Sequence, residues 1–63
     1  RLLERMALQE ALARLNDKER LVIQLRYYHS LTQQRVAGLI GVSQVQVSRI
    51  ERKAVQHLRE KLL

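Results

Sequence analysis

The sequence predicts an all-α fold, a small four-helix domain, and three observations carry that reading. The 63-residue chain has no Pro and only two Gly, and it is rich in the strong helix formers Leu, Arg, Gln, Glu and Ala. Its apolar residues recur at spacings of three and four, the period of one helical face. Each predicted junction carries a residue suited to starting a helix: Asn16, Thr32 and Ser43. A chain this short is one domain at most, and it buries only roughly 60% of its unfolded surface.

The first helix is expected from about Leu2 to Leu15, with Leu8, Ala11, Leu12 and Leu15 facing inward. Asn16 then separates it from the second. In "NDKE", Asn16 offers an N-cap with Glu19 three residues later, a variant of the capping box, and Asp17 suits the positive end of the helix dipole. The second helix should run to about Tyr28, with Leu21, Val22, Leu25 and Tyr28 in the core. Ile23 and Tyr27 lie on another face, where they either pack on the first helix or line a partner-binding groove. After "HSL", Thr32 caps a short third helix, Gln33 to Ile40, which buries Val36, Ala37 and Ile40. Gly41 should end it, because Gly accepts positive φ at little cost. Gly38 lies inside this helix, and nothing in the sequence accounts for it. Ser43 and Gln46 form the capping box of a fourth helix, Gln44 to Leu62, whose inward stripe is Val47, Ile50, Ala54, Leu58 and Leu62. Nineteen residues would span roughly 28 Å.

Composition narrows the functional classes. With no Cys there is neither a disulfide framework nor a thiolate zinc site, and two isolated His are no metal signature. No cofactor motif or Gly-rich phosphate loop is present. The six acidic residues pair with no nucleophile, so no enzyme is legible. His29 and His57 are expected at the surface or in loops. No apolar run approaches the ~18 residues of a membrane span. The opening "RLLERMALQEAL" is charged and periodic, unlike a signal peptide, and lacks an initiator Met; the chain reads as a piece excised from a longer protein. Net charge is +6. Residues 43–63 carry half of it in a third of the length, which suggests a polyanionic partner or, alternatively, a solvated basic surface.

A short helix, a tight turn at Gly41 and Val42, and a long helix make a helix-turn-helix. Ala37 is small where the helices must cross, Gly41 turns the chain, and Val36, Ile40, Val42, Val47 and Ile50 fill the wedge between them. If Val47 is buried, Val45, about 200° around the helix, points outward. Ser48, Arg49 and Arg52 share its face, with Gln44 beside them in the first turn. In a DNA major groove, Arg reads guanine, Gln reads adenine, and an apolar group meets the thymine methyl. Gln44, Val45, Ser48 and Arg49 therefore form the expected base-reading set, the alternative being that Val45 is one scattered surface residue. Arg52 and Lys53, one turn on, suit phosphates, as do the free N–H groups near Ser43.

The stretch "LNDKERLVIQLRYYHSLTQQRVAGLIGVSQVQVSRIERKAVQHLR" resembles region four of bacterial sigma factors of the sigma-seventy family, of the sporulation and stress-response type. The resemblance covers Leu15 to Arg59 and is most specific from Thr32 onward. It implies binding to the promoter −35 element as double-stranded DNA, in a bacterial cytoplasm at the nucleoid. It places Gln44, Val45 and Arg49 against bases and Gln46, Ser48 and Arg52 near the backbone or the edge of the site. Thr32, Gln33, Arg35, Ser43 and Lys53 complete the expected backbone set. Residues 1–31 would face RNA polymerase, holding the flap-tip helix of its β subunit on an apolar surface that includes Ile23 and Tyr27. Residues 32–63 would form the helix-turn-helix. An anti-sigma factor is a further expected partner, and the isolated domain is expected to be monomeric. Arg35 stands where the family usually has an acidic residue, and Gly38 is also a departure. Two other readings are a dimeric regulator of the LuxR/GerE type and a module that binds protein only.

Overall fold

The computed structural model describes the backbone of residues 2–62 and the side chains of residues 5–60. Four α-helices follow in order: α1 (Leu2–Arg14), α2 (Asp17–Ile23), α3 (Gln33–Ile40) and α4 (Gln44–Leu62), with a π-helical turn, Gln24–Tyr28, continuing α2. Among the described residues every regular element is helical.

The junctions form as their residues dictate. The Asn16 side chain accepts from the Glu19 N–H at 2.8 Å, and the Glu19 carboxylate accepts from the Asn16 N–H at 3.3 Å, closing the capping box. The Arg20 guanidinium reaches back to the end of α1 and donates to the carbonyls of Leu12 (3.0 Å) and Leu15 (2.8 Å). These carbonyls lie at the C-terminal end of α1, where a cation suits the negative end of the helix dipole. Thr32 Oγ1 accepts from the Arg35 N–H at 3.1 Å and caps α3. Gly41, at φ 76°, ends α3 in the left-handed region, and the N–H groups of Gly41 and Val42 both return to the Ala37 carbonyl. Ser43 and Gln46 then exchange side-chain hydrogen bonds with each other's N–H groups at 3.1 and 3.0 Å.

Two apolar clusters hold the helices, and α4 is a wall of both. Leu12, Leu15, Ile23 and Ala54 form one, with Leu8, Val55 and Leu58 packed against it. Val22, Val36, Ala37 and Val47 form the other, with Leu25, Leu31, Ile40, Val42 and Ile50 around it. Adjacent residues of α2, Val22 and Ile23, thus serve different clusters. The inward stripe of α4 holds from Val47 to Leu58; the Leu62 side chain lies outside the described residues.

The second helix departs from expectation. Its α-helical part ends at Ile23, and the chain winds on as a π-turn closed by His29 N–H to the Gln24 carbonyl at 3.2 Å. Tyr28, expected in the core, is 54% exposed, and Leu21 is also exposed. The wider winding changes the face each residue presents, so a 3.6-residue period fails beyond Ile23. It also brings the neighbours Arg26 and Tyr27 to a single acceptor, Glu51 of α4. Arg26 Nε donates to Glu51 Oε1 at 2.9 Å, Tyr27 OH to Oε2 at 2.7 Å, and Gln33 Nε2 of α3 to Oε1 at 2.9 Å. Glu51 is only 8% exposed. Burial alone would raise its pKa, but the hydrogen bonds from Gln33, Arg26 and Tyr27 and the charge of Arg26 outweigh it and hold the carboxyl below its ordinary 4.5. The same contact raises the Tyr27 phenol, because the hydroxyl proton is held by Glu51, and burial adds to the effect.

His57, expected at the surface or in a loop, is half-buried within α4 and places Nδ1 3.0 Å from Oε2 of the buried Glu19. Glu19 therefore caps α2 with one oxygen and meets α4 with the other.

Gly38 is exposed inside α3, and an added Cβ would meet nothing within 4 Å. In urea unfolding, Gly38→Ala should stabilise the chain by about 1 kcal/mol, while Gly41→Ala, forced to positive φ, should destabilise it by about 1 kcal/mol. For Glu51, a depressed folded-state pKa means that its stabilisation is complete above 4.5 and is lost as pH falls through the folded value. The urea midpoint should therefore drop below about pH 4.5 in the parent chain and less steeply in Glu51→Gln.

Candidate nucleic-acid interface

The outward face of α4 is set by what its inward face buries. Val47 is fully buried between α2 and α3, and two residues earlier Val45 is 60% exposed. Gln44, Gln46, Arg49, Arg52 and Lys53 are exposed and Ser48 is half-buried. The expected base-reading set, Gln44, Val45, Ser48 and Arg49, thus lies together on the first two turns. Arg52 and Lys53 follow one turn later, where with Arg49 and Ile50 they border a shallow cavity of about 430 Å³.

The start of α4 is itself suited to an anion. The capping box uses the N–H of Gln46, while those of Gln44 and Val45 open the helix and have no acceptor within it. Thr32 and Arg35 stand at the N-terminal turn of α3, both exposed, with the Thr32 oxygen engaged as a cap. Gln33 is half-buried beside them. Its amide nitrogen faces Glu51, and its oxygen accepts from Gln44 Nε2 at 3.3 Å.

A second surface has different chemistry. Leu8, Leu12, Ile23, Tyr27, Tyr28, Val55 and Leu58 line an apolar groove of about 310 Å³. Of the two residues expected there, Ile23 is largely buried against Leu12, Leu15 and Ala54, at the groove floor. Tyr27 is more than half exposed, stands at the rim, and is held by Glu51 and by Arg26, whose guanidinium carbon lies 5.8 Å from its ring centre. Ile23 therefore packs on α1, as one of the two sequence readings expected, and also floors an apolar groove.

The hub that joins these surfaces is what sequence reading missed. Glu51 falls four residues after Val47 and three before Ala54, inside the buried arc of α4, and Arg26 falls four after the buried Val22. An acidic and a basic residue on facing apolar stripes were the available signal. No helix of the described residues is long and apolar enough to cross a membrane.

Comparison with known proteins agrees with this geometry. Residues 11–60 match the family model for sigma-70, region 4. The chain is 45% identical over 56 residues to the RNA polymerase sigma-F factor of Priestia megaterium, covering 89% of the chain and 22% of that protein. It is 40% identical over 60 residues to both the sigma-G and the sigma-B factors of Bacillus subtilis, covering 95% of the chain and 23% of each. It therefore spans less than a quarter of the length of these relatives. With the helix-turn-helix in place and the match running from α1 to the last turns of α4, the chain belongs to the sigma-70 region 4 family.

Proposed function

We propose that this chain binds the promoter −35 element as double-stranded DNA, acting as the −35-reading part of a longer sigma factor in transcription initiation in the bacterial cytoplasm. One observation carries the reading: on a helix entered through a left-handed Gly41, Val45 and Arg49 stand in solvent while Val47 is fully buried. An apolar residue held out between a Gln and an Arg has little structural use, but it suits a major groove. Gln44, Val45, Ser48 and Arg49 are assigned to base edges. Thr32, Arg35, Ser43, Gln46, Arg52 and Lys53 are assigned to the backbone, with the open N–H groups of Gln44 and Val45. Gln33 sits among them but gives its amide to Glu51 and Gln44.

The apolar groove at Ile23 and Tyr27 supports a second contact, with the flap of the polymerase β subunit. This contact answers a physical difficulty. One monomeric helix-turn-helix makes few contacts, and such binders usually dimerise. A reader tethered on polymerase meets its site at an effective concentration of about 1 mM, so it needs no partner copy. Family membership favours this arrangement over the dimeric regulator. An anti-sigma factor would compete for the same surfaces.

The isolated chain should bind −35 duplexes weakly, with a log–log salt slope of about −3 if Arg35, Arg52 and Lys53 each neutralise one phosphate. Fluorescence anisotropy across a panel of −35 variants separates the roles. Arg49→Ala should lose about 1–3 kcal/mol and relax preference at one base pair, whereas Lys53→Ala should weaken all sequences alike and reduce the slope by about 1. Identical profiles for the two variants would refute the division into base reader and phosphate contact.

A further inference from the structure

We infer that Gln33 is a positioning residue for base reading, which transmits the polarity of the buried Glu51 carboxylate to Gln44 and so fixes which way the Gln44 amide meets a base. The inference rests on the reading that Gln44 faces a base edge.

What each group can do in a hydrogen bond fixes the order of this chain of contacts. A carboxylate only accepts, so Gln33 must turn its amide nitrogen to Glu51, 2.9 Å away. The Gln33 oxygen then faces the other way, toward the start of α4. There it accepts from Gln44 Nε2 at 3.3 Å. Reversing Gln44 would set its carbonyl oxygen against the Gln33 oxygen, acceptor against acceptor. The order Glu51, Gln33, Gln44 therefore has one direction.

That direction matters for recognition. A free glutamine amide rotates and offers donor and acceptor in either order. With Nε2 held by Gln33, Gln44 keeps its oxygen and its second N–H for the groove in a fixed order. Adenine offers its N7 acceptor and N6 donor in a fixed order too. Holding the amide beforehand removes rotational freedom that binding would otherwise have to quench. Glu51 is itself fixed by Arg26 and Tyr27 of the π-turn, so the chain of bonds ends on a rigid anchor.

Gln33 is only half-buried, and replacing it with Met keeps its size while removing both hydrogen bonds. The test compares the parent 63-residue chain, Gln33→Met and Gln44→Ala at low salt, on duplexes substituted singly at every position of the −35 element. Thermal melts of each variant report folding. The expected result is that Gln44→Ala loses preference at one base pair. Gln33→Met should lose at least about threefold of its discrimination at that same pair, the effect of one neutral hydrogen bond, with other positions unchanged. If Gln44→Ala relaxes one position while Gln33→Met keeps full discrimination there, or weakens every duplex equally, Gln33 does not position Gln44, and the base-reading assignment survives. If Gln44→Ala relaxes no position, the assignment of Gln44 fails and the inference with it.

Discussion

The Glu51 carboxylate is the constraint on which the rest of this structure depends. It sits in the buried arc of α4 and collects donors from Arg26, Tyr27 and Gln33, which come from the π-turn and α3. Leaving a buried carboxylate without its partner costs about 3–5 kcal/mol. A domain of this size has a total stability on the order of 3–9 kcal/mol. The apolar clusters bring the helices together, but greasy contacts tolerate sliding, whereas three directed hydrogen bonds to one carboxylate do not. Glu51 thus ties both the π-turn and the start of α3 to the middle of α4.

Because α4 is a wall of both clusters, one rod carries two surfaces. Its first turns, past Ser43, present side chains and open N–H groups suited to a polyanion. Farther along, Val55 and Leu58 join Leu8, Leu12, Ile23 and Tyr27 in an apolar groove suited to a protein helix. Tyr27 belongs to both systems, since it lines the groove and donates to Glu51. On the proposed function the domain is a bridge, with DNA at the first turns of α4 and a polymerase helix at the groove. Such a bridge suits a chain of the sigma-70 region 4 family, which spans less than a quarter of its relatives' length.

Much of this was legible in the sequence, and the reasons are local. The caps at Asn16, Thr32 and Ser43 and the turn at Gly41 depend on residues within three or four positions of each other, so their chemistry can be read directly. The outward placement of Val45 followed from the burial of Val47 and helix geometry alone. What the sequence concealed was non-local or irregular. The π-turn breaks the period by which faces are assigned, so Tyr28, expected inside, lies outside; Leu21, in the regular part of α2, is exposed because the buried face there is formed by Glu19, Val22 and Ile23. The partners of Glu51 and His57 are 18 to 38 positions away, beyond the reach of spacing arguments. Glu51 entered the sequence reading only as one of six acidic residues without a nucleophile, although its place between Val47 and Ala54 falls in the buried arc of α4.

Promoter reading by this chain depends on which side of α4 meets a duplex. An NMR titration of the chain with a −35 duplex tests that most directly, residue by residue. The amides of Gln44, Val45, Ser48 and Arg49 should shift strongly on binding while those of Leu8, Ile23 and Tyr27 stay in place. Shifts centred on Leu8, Tyr27 and Leu58, with the first turns of α4 unmoved, would contradict it.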